Sequence, residues 1–276
     1  MSGAALGPVL VTGAAGRIGT VLRAGLPERG WALRSLDVVA VPEPRPGEEH
    51  LVADVTDLAA TTEAARGASA VVHLAGIAGE STWAAISHAN IGGTYVALEA
   101  ARQAGVPRVV LASSNHATGY TERPSDGLLR EVDAPPRPDT YYGVSKVAME
   151  ALGSLYADRY GLDVVCLRIG SAFAEPTTTR QLSTWLSPAD TVSLVDAALS
   201  APSPGFSVVW GVSDNTRRWW DLSAAEALGY RSADDAERYA AALVESRGEP
   251  DPSDPVHHRV GGEYTTPAFD AENFPA

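Results

Sequence analysis

Three residues of this chain have the types and spacing of a proton-abstraction site. Tyr142 and Lys146 stand four apart in TYYGVSK, and Ser114 follows the apolar run that leads into ASSNH. On a helix, side chains four apart project from one face. A phenol near pKa 10 is a poor base at neutral pH, and bringing it to about 7 takes on the order of 4 kcal/mol of differential stabilisation. A neighbouring ammonium supplies part of that. Tyr142 could then take a hydroxyl proton while Ser114 orients the hydroxyl. The polar row from Ser113 to His116 also has a plainer reading, because Ser and Asn often hydrogen-bond their own backbone where a strand stops. The rest of the chain must decide between the two.

Short Val- and Leu-rich runs recur at PVLVT, WALRSL, HLVADV, AVVHLAG, RVVLASS, DVVCLRI and FSVVWG, with Ala-rich stretches of helical length between them in the first two thirds. Strands alternating with helices predict an α/β protein, a Rossmann-type doubly wound parallel sheet covered on both faces. Ser114 then ends the fifth strand, and Tyr142 and Lys146 begin a helix that runs to Tyr160. The segment between them, Thr121 to Thr140, is long enough to be a functional lid. After Ile169 the alternation weakens, with helices expected near Pro188 to Ser200 and Ala233 to Ser246. The expected organisation is a core over 1–170 that carries the catalytic residues, and a smaller substrate-covering lobe over 171–276, interleaved with the core through a late strand near 206–212.

The first strand runs straight into TGAAGRIG, which puts Gly13, Gly16 and Gly19 at a strand-to-helix turn. Glycines there let a pyrophosphate approach the amides at the start of the next helix, whose dipole favours negative charge. Asp37 ends the second strand at the distance where an acid accepts hydrogen bonds from the adenosine ribose, and a carboxylate there repels a 2′-phosphate. No Arg follows closely, which favours NAD over NADP. Asp54 is placed to meet the adenine edge, or else to cap the next helix. Leu74, Ala75 and Gly76 should pass beneath the cofactor, and Arg17, Ile18, Val55 and Ile169 complete the expected contacts. With NAD as acceptor, Tyr142 would take the substrate proton as hydride leaves, and Lys146 would also hold the nicotinamide ribose.

The 276 residues are 45% hydrophobic, the balance of an ordinary soluble globular protein, and carry a net charge of −13. That charge argues against nucleic acid or an anionic membrane surface as partner, so an anionic ligand must be held locally. Cys166 is the only cysteine and lies in an apolar run, which excludes an internal disulfide and reads as core packing. No apolar window reaches the roughly 18 residues of a membrane span. The N-terminus has no basic leader, and its removal would destroy the first strand, so a cytoplasmic protein is expected. Trp219 and Trp220 read as core or subunit-contact aromatics, and neither His257 nor His258 has a pattern around it that suggests a metal.

Through TGAAGRIG, Asp37, Ser114 and YGVSK the chain resembles the extended short-chain dehydrogenase/reductase superfamily. Through ASSNH followed by GY, YGVSK, LRIGS, EP with Arg180 four residues after Pro176, LSTW, VVWG and WWD, it resembles bacterial uronate dehydrogenases. That resemblance implies NAD-dependent oxidation of galacturonate or glucuronate at C1 of the cyclic form, giving an aldarolactone. A uronate needs a cation on so acidic a protein, and Arg180 suits it because a guanidinium grips a carboxylate with two hydrogen bonds. The resemblance further implies that Asn115, His116 and Ser171 complete the substrate contacts, and that Asn90 is the asparagine that positions Lys146 near the cofactor. In that family a serine follows the Gly-Ile pair near the sugar; here Gly76-Ile77 leads to Ala78, and Ser81 is the nearest replacement. Two other readings stay open, a sugar-nucleotide epimerase or dehydratase and a non-catalytic NAD sensor. The intact Ser114, Tyr142 and Lys146 weigh against the sensor. The Ala-rich stretches Ile91 to Ala104 and Val147 to Tyr160 could pair into a homo-oligomer, a dimer or larger.

Overall fold

All seven apolar runs form strands; the central ones are Val-rich and buried on both faces of a parallel sheet, while the edge strand from HLVADV stays partly exposed. The computed structural model describes residues 7–273 other than 42 and 44. The strands are β1 (Val9–Thr12), β2 (Leu33–Asp37), β3 (Glu49–Val52), β4 (Ala70–His73), β5 (Arg108–Leu111) and β6 (Asp163–Ile169); after two short strands, β7 (Ser171–Ala172) and β8 (Trp185–Leu186), comes β9 (Phe206–Gly211). One sheet has the order β3-β2-β1-β4-β5-β6-β9, and β7 pairs with β8 apart from it. Every neighbour in the large sheet is parallel. Strand addition reverses direction between β1 and β4, and at such a switch point a crevice opens beyond the carboxyl ends of the strands.

The helices are α1 (Arg17–Gly25), α2 (Leu58–Ala65), α3 (Trp83–Ile86), α4 (Gly93–Ala104), α5 (Tyr141–Tyr160), α6 (Gln181–Thr184), α7 (Pro188–Ser200), α8 (Ser223–Ala227) and α9 (Ala240–Arg247), with short helical turns in the tail. One face of the sheet packs on α2, α4 and α5 through Leu10, Leu98, Met149 and Cys166; the other packs on α1 and α7 through Val9, Leu22, Leu194 and Trp210. Cys166 is buried, as are Trp219 and Trp220, so all three are core residues. α5 starts where Thr140 accepts a hydrogen bond from Gly143 N and ends on Gly161 at φ 71, a left-handed stop that glycine takes without strain. The cap places Tyr142 in the first turn.

Two expectations change. The helix expected over 233–246 begins later, as a turn of 3-10 helix at Ala236–Tyr239 followed by α9. Asp235 is the cause: its extended backbone precedes the turn, and its carboxylate accepts from Glu237 N and from Thr216. The segment Thr121 to Thr140 is fastened rather than free. Leu129 N donates to Trp219 O, Arg123 N to His258 O, and the Trp210 indole to Leu129 O. Among the described residues no helix is long and apolar enough to cross a membrane.

Candidate active site

A cavity of about 1010 Å³ runs across the carboxyl ends of the central strands. That is the top of the range for small-ligand sites, room for a dinucleotide with a sugar beside it. One end is built by the glycine turn. Gly13 has φ 71, and a Cβ there would lie 2.7 Å from Ala75 N; a Cβ on Gly19 would collide with Gly13 O. No side chain caps the amides that open α1, and no acid stands in its first turn. They face the cavity at Gly16, Arg17, Ile18 and Gly19, an arrangement that suits a pyrophosphate.

Asp37 lines the same end. Its Oδ2 accepts from Ala15 N at 2.9 Å and its Oδ1 from Val39 N at 3.2 Å, so the carboxylate braces the glycine turn as well as facing the ribose position. The next two residues are the exposed Val38 and Val39, with no cation to receive a 2′-phosphate. Asp54 and Val55 line the wall. Asp54 is not the cap of α2, since Asp57 accepts from Ala59 N and Ala60 N. Hydrogen bonds from Thr56 hold the Asp54 carboxyl below its ordinary range. Leu74, Ala75, Gly76 and Ile169 form the floor. Arg17 donates to Ala172 O and lies 4.2 Å over the Phe173 ring, so it closes the side of the cavity.

Asn90 stands behind the wall instead of in it. Its Oδ1 accepts from Ile77 N at 2.7 Å, and its Nδ2 donates to Ile77 O and to Ser145 Oγ. The residue is buried in a π-helical turn, Ser87–Gly92, and is linked to α5 by its bond to Ser145, the neighbour of Lys146. Gly76, at φ 145, leaves room for this amide. Asn90 thus sets the shape of the floor rather than contacting the cofactor.

At the other end the structure brings together Ser114, Asn115, His116, Tyr142, Lys146, Ser171 and Arg180 around the cavity. Burial pushes the Tyr142 phenol up to about 12, against the pull of its hydrogen bond with Ser114. Lys146 is buried and donates to Ala112 O at 2.7 Å, with Nζ 5.3 Å from the Tyr142 ring centre. Burial brings its ammonium down to about 8. Ser114 donates to Asn115 Oδ1, and Asn115 donates to Val260 O at 2.7 Å, which draws the tail against the strand end. Ser171 pairs with Thr184 at 2.9 Å.

Arg180 is half-buried and ties the tail down: Nη1 donates to Val256 O and Arg259 O, and Nη2 to Val260 O. A guanidinium has five N–H donors, so two remain after these three. Burial draws it down to about 10, with Glu263 and Asp139 acting the other way. Ala78 lines the cavity, whereas Ser81 is not among the lining residues and so does not replace the missing serine.

Several lining residues come from parts of the chain with no motif: Phe173, Thr179, Arg247, His257, Glu263 and Tyr264. The tail residues reach the site because the Asn115 and Arg180 bonds fold the segment over it. Glu80 also escapes any motif; its Oε2 accepts from Tyr142 N at 2.9 Å and fastens the start of α5 to the loop after β4.

Known proteins align with this arrangement. Residues 9–221 match the model of the NAD dependent epimerase/dehydratase family. Uronate dehydrogenase of Pseudomonas putida is 40% identical over 93% of this chain and 94% of its own. The crystal structure of a tyrosine-to-alanine mutant of uronate dehydrogenase from Agrobacterium tumefaciens, complexed with NAD, superposes with a TM-score of 0.87 at 40% identity, covering 95% of this chain and 97% of that one. Glucuronic acid dehydrogenase from Chromohalobacter salexigens superposes with a TM-score of 0.88 at 37% identity over 94% and 97%.

Proposed function

The chain belongs to the NAD dependent epimerase/dehydratase family and, within it, to the uronate dehydrogenases, and from that premise we propose that it oxidises C1 of a cyclic hexuronate, galacturonate or glucuronate, to the aldarolactone with NAD. The observation that carries this reading is a single cavity walled at one end by the glycine turn and Asp37, and at the other by Ser114, Tyr142 and Arg180. Bound NAD supplies the hydride acceptor and a positive charge at the nicotinamide. Tyr142 takes the proton of the C1 hydroxyl, and Ser114 holds that hydroxyl in line. Lys146, as an ammonium on the same face of α5, steadies the phenolate and the nicotinamide ribose. Arg180 grips the substrate carboxylate with its two remaining donors, and the new ion pair offsets the desolvation of the guanidinium. Asn115, His116 and Ser171 hold the other sugar hydroxyls.

The same reading includes self-association through α4 and α5, where Tyr95, Leu155 and Tyr160 are exposed; light scattering on the purified chain reads it directly. The NAD requirement and the single buried cysteine support a cytoplasmic location.

The test follows NADH absorbance with galacturonate and glucuronate, against galactose and glucose as uncharged controls. Uronates alone should turn over. Arg180→Ala should raise KM roughly tenfold to a hundredfold, the loss of charge-assisted hydrogen bonds, while NAD binding by the variant reports that it is folded. Equal turnover of neutral sugars, or an unchanged KM, would sink the reading.

A further inference from the structure

Nδ1 of His116 lies 2.7 Å from Asp139 Oδ2, and the Asp139 side chain is wholly shielded from solvent. An ionised carboxylate accepts and cannot donate, so the hydrogen at this contact belongs to Nδ1. A neutral imidazole has one N–H, which leaves Nε2, at the far side of the ring, with a lone pair. His116 lines the cavity, and Asp139 does not.

The chain leaves room for this carboxylate on three sides. A Cβ on Gly119 or on Gly261 would collide with Asp139 Oδ2, and one on Gly143 would come within 2.9 Å of Oδ1. These glycines belong to the turn after β5, the tail and the first turn of α5. Thr140 Oγ1 donates to Asp139 Oδ1 at 3.0 Å and accepts from Gly143 N, so the carboxylate is locked to the turn that carries Tyr142. The imidazole plane is held as well, by Tyr264 with ring centres 4.2 Å apart and by the edge of Tyr142 at 5.7 Å.

We propose that Asp139 is a positioning residue: it fixes His116 as the Nδ1–H tautomer, so that Nε2 accepts a hydrogen bond from a sugar hydroxyl beside the reacting carbon. This rests on the hexuronate reading, and it adds a residue that never touches substrate. Specificity follows from polarity. A buried acceptor binds a group that can donate and is left unpaired by one that cannot.

Asp139→Asn keeps the shape of the side chain in its cradle. Its amide can donate to Nδ1, which would move the ring hydrogen to Nε2 and present the substrate with a donor where the wild type has an acceptor. The expected result is a KM for uronate raised about tenfold or more, the loss of a buried hydrogen bond, with kcat changed far less and NAD affinity kept. His116→Ala should show a similar loss, and adding Asp139→Asn to it should take nothing further away. A second full loss in the double variant would mean that Asp139 acts through the fold and would overturn the proposal. Nitrogen NMR of the NAD-bound wild type, at a pH where the spectrum itself reports a single ring hydrogen, should find that hydrogen on Nδ1; finding it on Nε2 overturns the proposal regardless of kinetics. Failure of the hexuronate reading looks different, because wild type would then turn over no uronate while the tautomer still reports on Asp139.

Discussion

The phenol of Tyr142 sits at about 12 in the protein alone, held there mainly by burial. Bringing it near neutrality asks for on the order of 7 kcal/mol, more than the sequence argument counted, since that argument started from an exposed phenol. Lys146 does not touch the phenol here but donates to Ala112 O. On the proposed mechanism the remaining stabilisation of a Tyr142 phenolate would have to come from a positive nicotinamide beside it, so the base would form only with NAD bound. Tyr142→Phe should lower kcat on the order of 10²–10⁴-fold and leave the NAD dissociation constant within about threefold, less than 1 kcal/mol. Fluorescence titration and steady-state rates check both halves; a variant that keeps its kcat would remove Tyr142 from the base's role. Tyr142, Lys146 and Ser114 were legible because each belongs to a local word, YGVSK or ASSNH, whose spacing survives folding. Asp139 and Tyr264 were not, because their partners lie in other segments and only packing brings them together.

At the scale of elements, all seven strands of the large sheet could be read from apolar runs, and most plainly the central ones, because a strand buried on both faces announces itself in composition. The tail could not be read that way. Its turns are held by side-chain bonds such as Asp235 to Thr216 and Arg180 to Val256 O, which leave no period in the sequence. The glycine turn is where local sequence and element packing meet most closely. A Cβ on Gly19 would press into Gly13 O and lie 2.7 Å from Ala14 Cα, all backbone, so α1 would have to move off β1. Gly19→Ala should therefore weaken NAD binding roughly tenfold or more, about 1.4 kcal/mol, and lower stability by about 1–3 kcal/mol. Gly30 is the control: at φ 90 it has nothing within 4 Å of an added Cβ, so Gly30→Ala should strain the backbone by roughly 1–2 kcal/mol and leave NAD affinity alone. Calorimetric titration separates them, and equal NAD affinity in the two variants would mean that the turn does not shape the site.

At the scale of the whole molecule, acid should unfold this protein through buried groups that take no part in the proposed chemistry. His73 ends β4 with Nδ1 2.9 Å from Thr12 Oγ1 and Nε2 3.5 Å from Thr94 Oγ1, wholly buried beneath the cavity floor. Burial, with the Lys146 charge nearby, takes its pKa from 6.5 to about 3. Unfolded chains take up a proton on this ring below 6.5, while the folded chain resists down to about 3. The unfolded state thus binds more protons across that window, so stability falls as pH falls, by up to about 1.4 kcal/mol per pH unit. Over the whole window that is roughly 5 kcal/mol, a large part of an ordinary folding free energy. Glu48 acts with the same sign lower down: burial raises its pKa, but hydrogen bonds from Arg23 and Ser35 outweigh it and hold the carboxyl at about 2. Its contribution is complete above 4.5 and is lost toward 2. Between 6.5 and 4.5 His73 therefore acts without Glu48. Urea unfolding of wild type should lose stability steadily across that interval, and His73→Gln, whose amide can still meet both threonines, should be flat there even if it starts lower. The slope is the readout rather than the baseline, and an equal slope in the variant would assign the acid lability to other groups.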